Sequence, residues 1–240
     1  MKFNVITIFP ELINDFINHG LISKALTKNI IEVQTWNPRD FSENPTGRID
    51  DKPFGGGQGM LLQAEPLIKT IEQIKLQSNT HVIFMAPHGN VFDQNKAHEL
   101  QTKEDLTIIC GRYEGIDKRV EESSVDEVIS IGDFVLNGGE LPALVVIETI
   151  ARQLKGFIGN EISLKDSFSN GLLEHPQYTR PEKSAYGNVP EILLSGNHEM
   201  ISRWELKESL KLTLQNRPEI LEKKKLSDLE KELLNEIKDE

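Results

Sequence analysis

A single cysteine, Cys110, stands in a chain of 240 residues, and this scarcity excludes an internal disulfide and any multi-cysteine metal site. Apolar runs are equally short. The longest, Leu141 to Ile147, contains Pro142 and falls far below the ~20 residues needed to cross a bilayer. Positive charge is in deficit, with 27 Lys and Arg against 38 Asp and Glu, a net charge of −11. That balance weighs against a generally nucleic-acid-coating surface but leaves room for one basic groove. Part of the excess sits in the tail, where Leu226 to Glu240 carries six acidic residues against two Lys. His19, His81, His88, His98, His175 and His198 show no paired metal-ligand spacing, and no metal site is expected. G-x-S-x-G is missing too, so no nucleophile-based hydrolase is visible. The opening MKFNVITIFPE has one Lys and no small-residue cleavage site, and reads as a strand rather than a signal peptide. A reducing, cytoplasmic setting is the expectation.

What is present is an alternation of short apolar runs and helical spacing over the first 150 or so residues. Phe3–Phe9, Ile30–Trp36, His81–Met85, Leu106–Cys110 and Val128–Ile131 read as strands. Helical spacing follows Pro10 and recurs over 65–76, 93–101, 116–123 and 140–154. Strands this apolar, alternating with helices, predict an α/β fold with a parallel sheet. Ligands of such sheets lie on the loops at the carboxyl edge of the strands. From Gly156 to about Asn197 the pattern dissolves into Gly, Pro, Ser, Asn and charge, as in a linker or a long functional loop. Asn197 then reads as a helix N-cap, with helix expected to Gln215, another after Pro218, and an amphipathic stripe at Leu226, Leu229, Leu233 and Ile237. The expected domains are 1–158, α/β; 159–174, a flexible connector; and 175–240, helical.

Three glycine-bearing loops end three of the expected strands: Ala86–Gly89, Gly111–Asp117 and Gly132–Glu140. Glycine lets backbone approach a ligand closely. The third loop is long and apolar, which suits a flat ring better than a phosphate chain. The segment 50–60 (DDKPFGGGQGM) is not a phosphate loop, since Gly59 is followed by Met60 rather than Lys; it reads as a loop closing over something. Cys110, at the end of a buried strand, reads as an inert thiol. Arg203, Lys207 and Lys211 recur every four residues on one helix face. That is either a cationic stripe for a phosphate backbone or a solvated face paired with Glu199 and Glu208.

In Gly111–Asp117, Ser130–Leu136 and Gly138–Leu141 the chain resembles the bacterial tRNA (guanine-N1)-methyltransferases. The likeness extends to Phe9-Pro10, Asp51–Met60, Asp166-Ser167-Phe168, His175–Pro181 and Leu194–His198, in order along nearly the whole chain. The resemblance implies methylation of the guanosine immediately 3′ of the anticodon, with S-adenosylmethionine as donor. It implies a sheet tied in a trefoil knot, the SPOUT type, and a homodimer whose active site lies at the subunit interface. Pro87, Gly111, Tyr113, Ser130, Ile131, Gly132, Phe134, Leu136, Gly138 and Gly139 would surround the donor. Asp166 would accept the N1 proton, Arg152 would stabilise charge developing on O6, and Glu114 would orient the base. Asp50 and Gly57 are assigned to guanosine or tRNA recognition, and Arg203, Lys207 and Lys211 to the tRNA backbone. Phe134 stands where the family has Tyr, Asn137 where Ser is common, and Gln58 where Pro is expected. Magnesium is a further cofactor suggested by the family, for which the sequence offers no ligand cluster. The competing readings are a knotted ribose 2′-O-methyltransferase and a tRNA-binding protein without catalysis.

Overall fold

The computed structural model describes residues 1–158 and 166–239. The chain forms two compact units, Met1–Asn160 and Glu161–Glu240. Residues 159–165, part of the connector expected at 159–174, lie outside the described residues.

The first unit begins with β1 (Lys2–Ile6), α1 (Pro10–Ile17), α2 (Gly20–Thr27) and β2 (Glu32–Trp36). A two-stranded hairpin follows, β3 (Asp50–Asp51) against β4 (Leu61–Leu62). Then come α3 (Ala64–Lys75), β5 (His81–Val91), α4 (Gln94–Leu100), β6 (Asp105–Cys110), α5 (Lys118–Ser124), β7 (Glu127–Ser130) and α6 (Glu140–Gln153). Five strands pair in the order β2-β1-β6-β5-β7, all parallel. Because side chains alternate across a strand, β1, β5 and β6 feed two cores. Phe3, Val5, Ile83 and Ile108 pack with α1, α4 and α6, and Ile6, Val82, Phe84 and Ile109 pack with α3 and α5. Helices on both faces explain strands without a polar side. The one polar side chain buried within β1, Asn4, is satisfied: it donates to Asp105 Oδ1 at 2.8 Å and accepts from Trp36 Nε1 at 3.0 Å.

One strand departs from the sequence reading. β5 does not end at Met85: Met85 and Asn90 both register on Ile129, so Ala86–Gly89 bulge out and pairing resumes at Asn90 and Val91. Gly89 makes this feasible, since a Cβ there would lie 2.5 Å from the Val128 and Ile129 backbone. Pro and Gly mark a bulge as readily as a strand end, and the sequence cannot tell the two apart.

In the second unit a short hairpin, β8 (Lys183–Ser184) with β9 (Gly187–Asn188), precedes α7 (Glu191–Leu194), α8 (His198–Asn216), α9 (Pro218–Lys223) and α10 (Asp228–Asp239). The hairpin lies in the stretch that carries no sequence pattern. Asn197 caps α8 as expected, accepting from Met200 N at 3.2 Å. Ser227 and Glu230 form a capping box at the start of α10: Ser227 N donates to Glu230 Oε2 at 2.7 Å, and Glu230 N donates to Ser227 Oγ at 3.2 Å. Leu172, Leu210, Leu233 and Leu234 make this unit's core.

Candidate functional site

The parallel sheet sends the carboxyl ends of β5, β6 and β7 to one edge, and a cavity of about 580 Å³ opens there. Each loop contributes a wall. The β5 bulge supplies Pro87, the turn after β6 supplies Gly111, Tyr113 and Glu114, and the segment after β7 supplies Ser130, Ile131, Gly132, Phe134, Leu136, Gly138 and Gly139. All ten residues assigned to the donor by resemblance therefore line one cavity, together with Glu114.

The loop shapes have local causes. Tyr113 takes a left-handed φ of 60°, held in a tight turn by Gly115 N donating to the Arg112 carbonyl at 3.0 Å. Gly132 adopts φ 143° and lets the Phe134 ring lie directly on it, 2.7 Å from where a Cβ would sit. The Ser130 hydroxyl fastens this turn, donating to the Gly132 carbonyl and accepting from its N–H, each at 3.2 Å. The chain then returns to the end of β6, where Gly139 N donates to the Gly111 carbonyl at 2.9 Å. A Cβ on Gly139 would stand 2.7 Å from Cys110 Cα, so only glycine lets the two backbones touch.

That return is locked by groups the sequence reading passed over. Glu140, the first residue of α6, is buried; it accepts from Thr7 Oγ1 at 2.8 Å and from Arg112 Nε at 2.9 Å. Arg112 also lies over the Phe9 ring, 4.6 Å from its centroid. His88, Lys118 and Glu121 line the cavity as well and were likewise not anticipated. Cys110 is buried, and that burial, reinforced by the Glu140 charge, pushes its thiol well above the ordinary value. It offers no thiolate for nucleophilic chemistry.

The β3–β4 hairpin is clasped to the cavity wall. Leu62 N donates to the Gly115 carbonyl at 3.0 Å, Asp117 N to the Leu62 carbonyl at 2.9 Å, and Glu114 N to the Met60 carbonyl at 2.9 Å. The Glu114 side chain fills the space a Cβ on Gly59 would need. Asp50, in β3, and Gly57, in the hairpin's connecting segment, do not line the cavity.

Arg152 does not line it either. It stands exposed in the last turn of α6, twelve residues and so about 18 Å along the helix from Glu140. Asp166, in the second unit, opens a turn in which its carbonyl accepts from Ser169 N at 3.1 Å. Two members of the α8 stripe, Arg203 and Lys207, pair with α10 of their own unit. Arg203 Nη2 meets Glu232 at 2.9 Å and Glu236 at 2.5 Å, and Lys207 Nζ meets Glu236 at 2.9 Å. Lys211 continues the same face one turn on. Among the described residues no cluster of three or more His, Cys, Asp or Glu could hold a metal ion, and no helix is long and apolar enough to cross a membrane.

Residues 1–223 match the protein family described as tRNA (Guanine-1)-methyltransferase TrmD. Curated relatives are similar over their whole length. A Vibrio vulnificus (strain YJ016) protein is 46% identical over 240 residues, 99% of this chain and 96% of its own. A protein of Dehalococcoides mccartyi is 47% identical over 99% of this chain and 97% of its own, and one of Thermosipho africanus 45% identical over 99% and 100%. Each of the three is named tRNA (guanine-N(1)-)-methyltransferase.

Proposed function

The chain belongs to the tRNA (guanine-1)-methyltransferase family, and on that premise we propose how its residues divide the work of methylating N1 of guanosine in tRNA. The enzyme is a tRNA (guanine-N1)-methyltransferase, and its target is the guanosine immediately 3′ of the anticodon. The methyl donor is S-adenosylmethionine, whose sulfonium supplies an electrophilic methyl group. One observation carries this reading: every motif residue assigned to the donor lies on a single cavity at the carboxyl edge of the sheet.

The cavity fits such a donor chemically. Ile131, Phe134, Leu136 and Pro142 offer an apolar slot for a flat ring, while Gly111 and Gly138 keep backbone amides and carbonyls within reach of a ribose. The return of Gly138 and Gly139 to the end of β6 supports the knotted topology of the SPOUT type. The second unit, with its helices α8 to α10, is the tRNA-binding domain.

Guanine N1 carries a proton and is a poor nucleophile until that proton leaves. Asp166 accepts it as the new bond forms, because an aspartate carboxylate is too weak a base to remove it fully beforehand. Negative charge then spreads to O6, where the Arg152 guanidinium stabilises it. Glu114, whose side chain lies beside Gly59, orients the base, and Asp50 and Gly57 contribute from the hairpin.

The enzyme works as a homodimer with the active site at the interface. Leu12 and Phe16 on α1 are 48% and 37% exposed, and Leu141 and Val145 on α6 are 61% and 44% exposed. Such a contiguous apolar face favours a partner. Arg152 falls on the same side of α6 as Leu141 and Val145 by helical spacing. A second copy covering this face brings each Arg152 to the other copy's cavity, which the helix length denies it within one chain.

The test is incubation with unmodified tRNA and methyl-labelled S-adenosylmethionine, followed by digestion to nucleosides. Label in 1-methylguanosine, abolished in Asp166→Ala, is the expected result. Label on a ribose, or tRNA binding without transfer, would sink the proposal.

A further inference from the structure

The cavity's charged lining divides into groups already engaged and groups still to be assigned. Arg112 is bound to buried Glu140, and Glu114 is assigned above to the base. The remainder is a trio at the wall made by α5 and the β5 bulge. Glu121 is mostly buried, its side chain 16% exposed, and is ion-paired with Lys118 one turn earlier on α5. His88 Nε2 reaches the same carboxylate at 3.2 Å and packs its ring edge-on to Phe84. The Lys118 ammonium first and the His88 ring next hold the Glu121 carboxyl below its ordinary value, so the carboxylate is ionised at neutral pH.

Opposite charges facing one cavity match a zwitterion. Here we propose that Glu121 binds the α-ammonium and Lys118 the α-carboxylate of the donor's amino-acid end, with His88 positioning Glu121. This rests on the S-adenosylmethionine reading above. The exchange is balanced, because the Lys118–Glu121 pair opens and each charge takes an opposite one from the ligand. The mostly buried Glu121 carboxylate is then never left without a cation, the condition under which a buried ion costs most. The rest of the lining leaves Glu121 as the carboxylate for the ammonium once Glu114 serves the base.

Two ligands differing only at the amino-acid end separate this role from a structural one. Calorimetry would compare S-adenosylhomocysteine with 5′-methylthioadenosine, which has the adenosine and sulfur but no amino acid, on the full chain. Glu121→Gln and Lys118→Ala should each weaken S-adenosylhomocysteine about tenfold, the worth of one hydrogen bond to a charged group. Methylthioadenosine should bind the variants within about twofold of the unaltered chain, which also shows that they are folded. Equal losses for both ligands, or unchanged S-adenosylhomocysteine affinity, would overturn the trio's role alone. Failure of the unaltered chain to bind either ligand would overturn the donor reading and the trio with it.

Discussion

Arg112 and Glu140, 28 residues apart in sequence, meet at 2.9 Å with the carboxylate 1% exposed. The contact ties the end of β6 to the first turn of α6, and Thr7 extends it to the end of β1. Two segments that line the cavity and the end of β1 behind them thus share one buried carboxylate. Its place at a helix N-terminus adds a favourable interaction with the helix dipole.

Glu140→Ala strands Arg112 and removes the acceptor of the Thr7 hydroxyl. Breaking a buried pair from one side costs about 3 kcal/mol. Urea unfolding should show a loss of that size, and S-adenosylhomocysteine affinity should fall with it. A change under about 0.5 kcal/mol, the range of ordinary surface substitutions, would mean the network is decorative.

Gly139→Ala tests the close approach of two backbones. The added methyl meets Cys110 Cα at 2.7 Å and Gly111 N at 3.1 Å, neither of which is the end of a flexible side chain. Overpacking of this kind costs about 1–3 kcal/mol. The expected outcome is a lowered melting temperature and weakened donor binding, read by calorimetry; full affinity in a folded variant would contradict the geometry.

The capping box gives the second unit a pH dependence. Burial alone would raise the Glu230 carboxyl, but the Ser227 backbone N–H, its hydroxyl and Lys224 outweigh it and hold the group below its ordinary value of 4.5. A depressed carboxyl stabilises the fold fully above the unfolded value and loses that contribution as pH falls through the folded one. Stability should therefore decline below pH 4.5, less steeply in Glu230→Gln, which also loses part of the cap. Acid unfolding curves that superimpose for the two proteins would refute this.

Leu141→Glu combined with Val145→Glu places charge on the apolar face of α6 without touching the core. Sedimentation velocity should show a dimer for the unaltered chain and a monomer for the variant. Methyl transfer should drop at least about a hundredfold, because removing one positioned electrostatic group costs that much. A fully active monomer would end the shared-site proposal.

Local patterns read correctly wherever the physics is local. Asn197 caps α8 and Pro10 opens α1 because a side chain or ring acts on its own backbone. The apolar runs became parallel strands because only burial on both faces suits them. The β5 bulge escaped notice because its Pro and Gly carry the same signal as a strand end. Glu140 escaped because its partners stand 28 and 133 residues away. Spacing on α8 could not reveal that Arg203 and Lys207 meet Glu232 and Glu236, because those carboxylates stand on α10, about thirty residues on.

The sequence by itself determined the alternation of strands and helices in the first unit, the edge of the sheet where a ligand belongs, and the glycine-bearing loops that line it. These follow from periodicity, turn chemistry and the strand direction that parallel pairing imposes. Only the tertiary structure decided which charges are already spent on the fold and which still face the cavity. Ion pairs form across distances in the chain that no spacing rule spans. Arg112 is bound to Glu140, 28 residues on, whereas Lys118 and Glu121 pair with each other one turn apart on α5 and face the cavity, a placement that their local sequence does not give.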